Sequence, residues 1–105
     1  MDQINKEQLK QMKETTSGAV FYASPFCRTC QIAERVIEPM RKLYDVPFYK
    51  VNINEIPEEA VTEKIQSVPC LIVFKDGEPV KKMYTFDNPP YVLEQLHGEL
   101  KSTLK

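Results

Sequence analysis

Tryptophan is absent from this 105-residue chain, histidine occurs once, glycine three times, and there is no long hydrophobic run. The nearest approach to such a run, Val68 to Phe74, is far shorter than the about 18 residues a transmembrane helix needs, so no membrane span is expected. With 3 glycines and no Gly- or Ser-rich tract there is no linker, and no repeat or low-complexity segment divides the chain. One domain over residues 1–105 is the expectation. Lys and Arg total 14 against 15 for Asp and Glu, a net charge of -1, without the basic excess that binding nucleic acid or anionic lipid requires. The opening Met1-Asp2-Gln3-Ile4-Asn5-Lys6-Glu7 has acidic and amide groups where a secretion signal has a cationic and then an apolar segment. Cysteine occurs 3 times, an odd number and a poor basis for a disulfide-stapled secreted scaffold. The expectation is a soluble protein of the reducing cytoplasm, working as a monomer, with neither nucleic acid nor membrane as partner.

What is present organises itself by period. Asn5-Lys6-Glu7-Gln8 reads as a capping box opening a short helix that turns Leu9 and Met12 inward and stops near Thr15-Thr16-Ser17-Gly18. Ala19 to Ala23 is a short apolar run rich in strand formers, the pattern of a buried strand. From Arg28 onward Ile32, Ala33, Val36, Ile37, Met40 and Leu43 recur as one face of a helix, and Pro39 inside it predicts a kink there or a weakening beyond Glu38. Phe48 to Ile53 reads as a second strand. Pro57 opens a short helix ending near Gln66, with Glu58, Glu59, Glu63 and Lys64 as its solvated face. Cys70 to Phe74 is the most strand-like run, and Asp76-Gly77 signals a hairpin into a strand over Val80 to Phe86, where Lys81-Lys82 read as solubilising charge on an edge. Pro89-Pro90 opens a last helix with Val92, Leu93, Leu96 and Leu100 toward the core, His97 at the surface, and a frayed tail from Lys101. The sum is an α/β fold: a mixed four-stranded sheet, one parallel pair joined by a right-handed crossover and one antiparallel hairpin, with helices on both faces.

The chemistry gathers at Cys27-Arg28-Thr29-Cys30, where the first strand hands over to the long helix. Cys27 then sits near the helix N-terminus, whose unpaired N–H groups favour thiolate over thiol, and Arg28 pushes the same way. The three-residue offset brings both sulfurs together, so that Cys30 can resolve a mixed disulfide formed at Cys27.

In Phe21 to Cys30, in Lys50-Val51-Asn52-Ile53-Asn54, and most tellingly in Val68-Pro69-Cys70-Leu71-Ile72-Val73-Phe74-Lys75-Asp76-Gly77-Glu78, the chain resembles thioredoxin, over almost its whole length. The resemblance implies a thioredoxin fold with Pro69 cis beside the active cysteines, the backbone of Val68 pairing with a substrate chain, and Pro25, Phe26 and Val68 as an apolar rim around Cys27. It also implies electrons from an upstream disulfide reductase. There are departures. Phe26 replaces the family's tryptophan, Arg28-Thr29 its Gly-Pro, and Tyr22 holds its second aromatic position. Phe21 stands where the family buries an aspartate under the second cysteine, with no replacement acid visible. Lys50 matches the lysine beside that aspartate and is expected to snorkel to solvent. The helix proline comes one turn later, at Pro39 rather than Arg35.

Other readings of the cysteines stay open at this level. A structural zinc site needs four ligands, and the only histidine is His97. Cys27 and Cys30, joined by Cys70, could instead hold a metal or iron–sulfur cluster completed from outside, or the pair could sense oxidation within an interaction domain. Cys70 itself is either a small buried hydrophobe or a thiol that reaches the pair. The reading adopted is a thiol-disulfide oxidoreductase with Cys27 as nucleophile and Cys30 as resolving thiol. Phe26, Val68 and Pro69 shape the substrate groove, and Arg28, Thr29 and Cys70 modulate the redox properties. Its substrates are disulfide-containing proteins or small molecules. No nucleotide, flavin or haem site is visible, so no cofactor is expected and the sulfurs are the redox centre.

Overall fold

The computed structural model describes all 105 residues. In chain order the elements are β1 (Asp2–Gln3), α1 (Lys6–Thr15), β2 (Gly18–Ala23), α2 (Arg28–Arg41), β3 (Phe48–Asn52), α3 (Glu58–Thr62), β4 (Cys70–Lys75), β5 (Glu78–Met83) and α4 (Pro89–Leu100), followed by a 3-10 turn over Lys101–Thr103. The sheet runs β1-β3-β2-β4-β5, with β1, β3 and β2 parallel and β4 and β5 antiparallel to their neighbours. Five strands therefore replace the expected four. The extra one, β1, is too short to show alternation in sequence, and it exists because the free edge of β3 accepts it: Asp2 pairs with Tyr49, Gln3 with Lys50, and the Ile4 N–H donates to the Lys50 carbonyl at 2.9 Å. No helix is long and apolar enough to cross a membrane.

Every side chain of the central strand β2 is buried, and they divide by the two-residue period of a strand. Ala19, Phe21 and Ala23 join Cys30, Ala33 and Ile37 of α2 and Val92, Leu96 and Leu100 of α4 on one face. Val20 and Tyr22 join Leu9 and Met12 of α1, Ile56 and Cys70 on the other. Along α2 the positions 30, 33 and 37 form the stripe, so Ile32 falls outside it and is 47% exposed, and Leu43 lies beyond the helix end and is likewise exposed. Leu93 is off the Val92–Leu96–Leu100 stripe for the same reason. Helix α2 continues through Pro39 to Arg41 rather than weakening at Glu38.

The ends of elements carry local signals of different reach. The Asn5–Gln8 capping box forms as read, with both reciprocal bonds at 2.9 Å. Asp76 and Gly77 both adopt positive φ, 52° and 84°, as a type I′ hairpin turn requires. Strand β5 ends at Met83, short of the expected Phe86, which turns into the core. Helix α3 stops at Thr62 rather than near Gln66, because Lys64 takes a positive φ of 55° and the Ile65 N–H closes back on the Ala60 carbonyl. The tail is not frayed: the Asp45 N–H donates to the Thr103 carbonyl, the Lys105 N–H to that of Leu43, and Tyr44 bridges Leu104.

The charges of α3 correct the expectation of a solvated face. Glu58 and Lys64 stay at the surface, Glu58 pairing with Lys6. Glu59 is 8% exposed, and its carboxylate accepts the Tyr22 hydroxyl proton at 2.8 Å and the Lys13 ammonium at 3.0 Å. Lys13 also pairs with Glu63 and lies over the Phe74 ring. Burial pulls the Lys13 pKa down, but its hydrogen bonds to Glu63 and Glu59 outweigh it and leave it raised. Burial, with the Glu59 charge beside it, raises that of Tyr22 well above the usual phenol range. Lys82 of the edge strand reaches the Glu63 and Lys64 carbonyls, and Lys81 donates to Gln95 at 2.7 Å, so both tie β5 to its neighbours. His97 is exposed as expected, its Nδ1 3.4 Å from the Tyr44 hydroxyl.

Candidate active site

Strand β2 ends at Ala23 and the chain turns through Ser24, Pro25 and Phe26 to Cys27, which is the N-cap of α2. Its sulfur accepts the Cys30 N–H at 3.1 Å and lies 3.3 Å from the Thr29 hydroxyl. An N-cap side chain with acceptor character receives one of the orphan N–H groups of the first turn, and a thiolate gains more from it than a thiol does. Cys27 and Cys30 are joined as a disulfide, their Cα atoms 5.1 Å apart. The two ends of that bond differ in access: Cys27 is half-buried, whereas Cys30 is 3% exposed.

Around the pair, Phe26 is 99% exposed, and Pro25, Arg28 and Thr29 are exposed as well. Val68 and Pro69 are half-buried, and the peptide bond between them is cis. Two hollows flank the pair. One, of about 340 Å³, is lined by Thr29, Ile32, Ala33, Pro69, Tyr84 and Phe86 among others, so the outward turn of Ile32 contributes to an apolar groove beside the disulfide. The other, of about 250 Å³, is polar: Cys30, Gln31 and Glu34 of α2 face Lys50 and Asn52 of β3 and Ser24 of the loop. Lys50 does not snorkel free; its ammonium sits 3.2 Å from both Glu34 carboxylate oxygens. Phe21 is fully buried beneath the pair, in an edge-to-face contact with Phe86 at 6.1 Å.

Cys70 is set apart from this site. It is a free, buried thiol belonging to the core on the opposite face of the sheet from Cys30, because the first residue of β4 pairs with Tyr22 and points the same way. Burial pushes its pKa up to about 11, against partial relief from Tyr84 and Lys82. The reading that brings it to the pair as a redox-modulating thiol or third ligand is thereby corrected, and the bland one, a small buried hydrophobe, describes where it sits. No group of three or more His, Cys, Asp or Glu residues is gathered to hold a metal.

Residues 3–96 match the sequence model of the thioredoxin family. The chain belongs to the thioredoxin family. It is 33% identical over 103 residues to a "Thioredoxin-like protein YusE" of Bacillus subtilis, covering 97% of this chain and 96% of that protein. A thioredoxin of Staphylococcus epidermidis is 35% identical over 82 residues, 76% of this chain and 78% of its own. Among solved structures, the oxidised thioredoxin of Plasmodium falciparum superposes with a TM-score of 0.84 at 19% identity, covering 95% of this chain and 98% of that one. A mutant thioredoxin of Halobacterium salinarum gives 0.77 at 20% identity, over 94% and 88%. These two show the shared fold. Family and disulfide together make this a thiol-disulfide oxidoreductase of thioredoxin type.

The sequence reading did not single out Glu34, which lines the polar hollow beside Cys30. The signal was available: Glu34 is four residues after Cys30, which on a helix places it one turn along the same face. What the sequence could not supply was Lys50 closing on it from β3.

Proposed function

We propose that the protein reduces or exchanges disulfides in protein substrates, with Cys27 as the attacking sulfur and Cys30 as the resolving one. The observation that carries this is the asymmetry of the pair: only Cys27 is open to a substrate, it caps a helix, and a wholly exposed Phe26 stands beside it. In the reduced protein the Cys27 thiolate attacks a substrate disulfide, forming a mixed disulfide and expelling one substrate thiolate. Cys30 then attacks the Cys27 sulfur, closing the intramolecular disulfide and releasing the second thiolate, so two electrons pass from the dithiol to the substrate. Val68 and Pro69 border the groove in which the substrate chain lies, and Arg28 and Thr29 modulate the reactivity of the pair. An upstream disulfide reductase of a reducing cytoplasm returns the electrons, and the protein acts as a monomer.

The test is a redox titration in dithiol buffers with alkylation of free thiols and mass mapping, alongside turnover of insulin disulfides. Closure of Cys27 with Cys30 near about −270 mV marks a reductant, and near about −200 mV an exchanger in the glutathione range. Cys27→Ser abolishes turnover. Turnover retained by that variant, or a pair that never closes, overturns the assignment.

A further inference from the structure

Resolution by Cys30 poses a difficulty that the reading above leaves unsolved. In the disulfide Cys30 is almost fully buried, packed with Ala33, Ile37 and Phe21 in an apolar cluster. Burial of this kind disfavours the thiolate, yet only the thiolate attacks. The strand beneath offers no base, since the residue there is Phe21. A polar hollow of about 250 Å³ opens beside Cys30, lined also by Glu34 and Lys50 and ample for water.

We propose that Glu34, held by Lys50, accepts the proton of the Cys30 thiol across this hollow and so makes the resolving sulfur nucleophilic. The inference rests on the oxidoreductase reading. Three observations converge on it. Residues four apart on a helix bring their Cβ atoms to about 5–6 Å, so Glu34 lies over Cys30 along α2. Both Glu34 oxygens meet the Lys50 ammonium at 3.2 Å, which fixes the orientation of the carboxylate. Finally, Cys30, Glu34 and Lys50 are the titratable residues lining the hollow. α2 contributes Cys30 and Glu34, β3 contributes Lys50, β1 only Gln3, and the loop after β2 only Ser24 and Pro25. One turn further along α2, Glu38 is taken up by Arg41 and the chain's own amino terminus. Glu59, the one buried carboxylate, serves Tyr22 and Lys13 in the opposite core.

The step balances without a further reagent. The Cys30 proton passes to the Glu34 carboxylate, the Cys30 sulfur bonds to the Cys27 sulfur, and the Cys27–substrate bond breaks with its electron pair on the departing thiolate. That thiolate, or solvent, then takes the proton from Glu34.

Rapid mixing of the reduced protein with 5,5′-dithiobis(2-nitrobenzoate) separates the two steps, because attack by Cys27 releases one coloured thiolate and resolution by Cys30 releases the second. Glu34→Gln is expected to leave the first release unchanged and to slow the second roughly a hundredfold at neutral pH, the lower end of what a positioned general base contributes. The slowed phase should recover as pH rises and the Cys30 thiol ionises unaided, a profile that a merely structural defect would not produce. Lys50→Met should slow the second release as well, through a carboxylate less firmly held. A second release in Glu34→Gln with wild-type rate and pH profile overturns the inference and leaves the oxidoreductase reading intact. Failure of the wild type itself to give two releases overturns both.

Discussion

Lys13 offers the sharpest test of the energetics. Its ammonium is the single cation between Glu59 and Glu63, with side chains only 17%, 10% and 9% exposed. Lys13→Met keeps an unbranched side chain of similar reach beside Phe74 while leaving two carboxylates uncompensated at low exposure. Removing one partner of a buried ion pair costs about 3–5 kcal/mol. The residual exposure argues for the lower end, about 3 kcal/mol, equivalent to roughly 12 °C in Tm at about 4 °C per kcal/mol. Urea unfolding of both proteins, followed by far-UV circular dichroism across pH, measures it. In the wild type the raised Lys13 pKa means that its contribution is complete below 10.5 and fades only as pH rises through the folded value, so Lys13 adds no slope at neutral pH. The deficit of the variant should therefore hold through neutral pH and shrink only at alkaline pH, as the Lys13 ammonium of the wild type deprotonates. A deficit below about 0.5 kcal/mol, or one independent of pH, refutes the reasoning.

Two further outcomes are expected. With its pKa at about 11, Cys70 should resist alkylation at neutral pH until the protein is unfolded, and Cys70→Ala should leave the redox titration of the Cys27–Cys30 pair unchanged; a shifted potential would mean that the sheet does not insulate them. Phe26→Ala should lower kcat/KM about tenfold for a protein disulfide, the value of one aromatic side chain covered on docking, while sparing a small disulfide, and equal losses on both would remove Phe26 from the docking face.

Much of the architecture was written in short-range signals. The Asn5–Gln8 box, the Asp76-Gly77 turn and the helical stripe through Ala33 and Ile37 each act within a few residues, where chain connectivity leaves few alternatives. The CxxC pair was legible for the same reason, since a three-residue helical offset alone brings the sulfurs together. Ile32, Leu43 and Leu93 were misassigned because hydrophobic spacing marks a stripe without marking its width.

Other features depended on residues distant in sequence. Glu59 and Glu63 look like a solvated face until Lys13 arrives from α1, 46 residues earlier than Glu59. The Lys50 match to the family pointed to a missing aspartate, and only the packing of α2 on β3 supplied Glu34 in its place. Strand β1 needed a free edge on β3, and the tail needed the loop around Tyr44. Cys70 stands immediately after Pro69 in the chain, yet the pleat of β4 turns it to the far side of the sheet from the pair. Most of the elements, the redox pair and its place at a helix terminus were legible from the chain alone, because those are set by backbone geometry over one or two turns. Which charges are buried, which base serves Cys30 and which thiol is left out were decided by tertiary structure, because those depend on which side chains the sheet brings face to face and how much water it leaves between them.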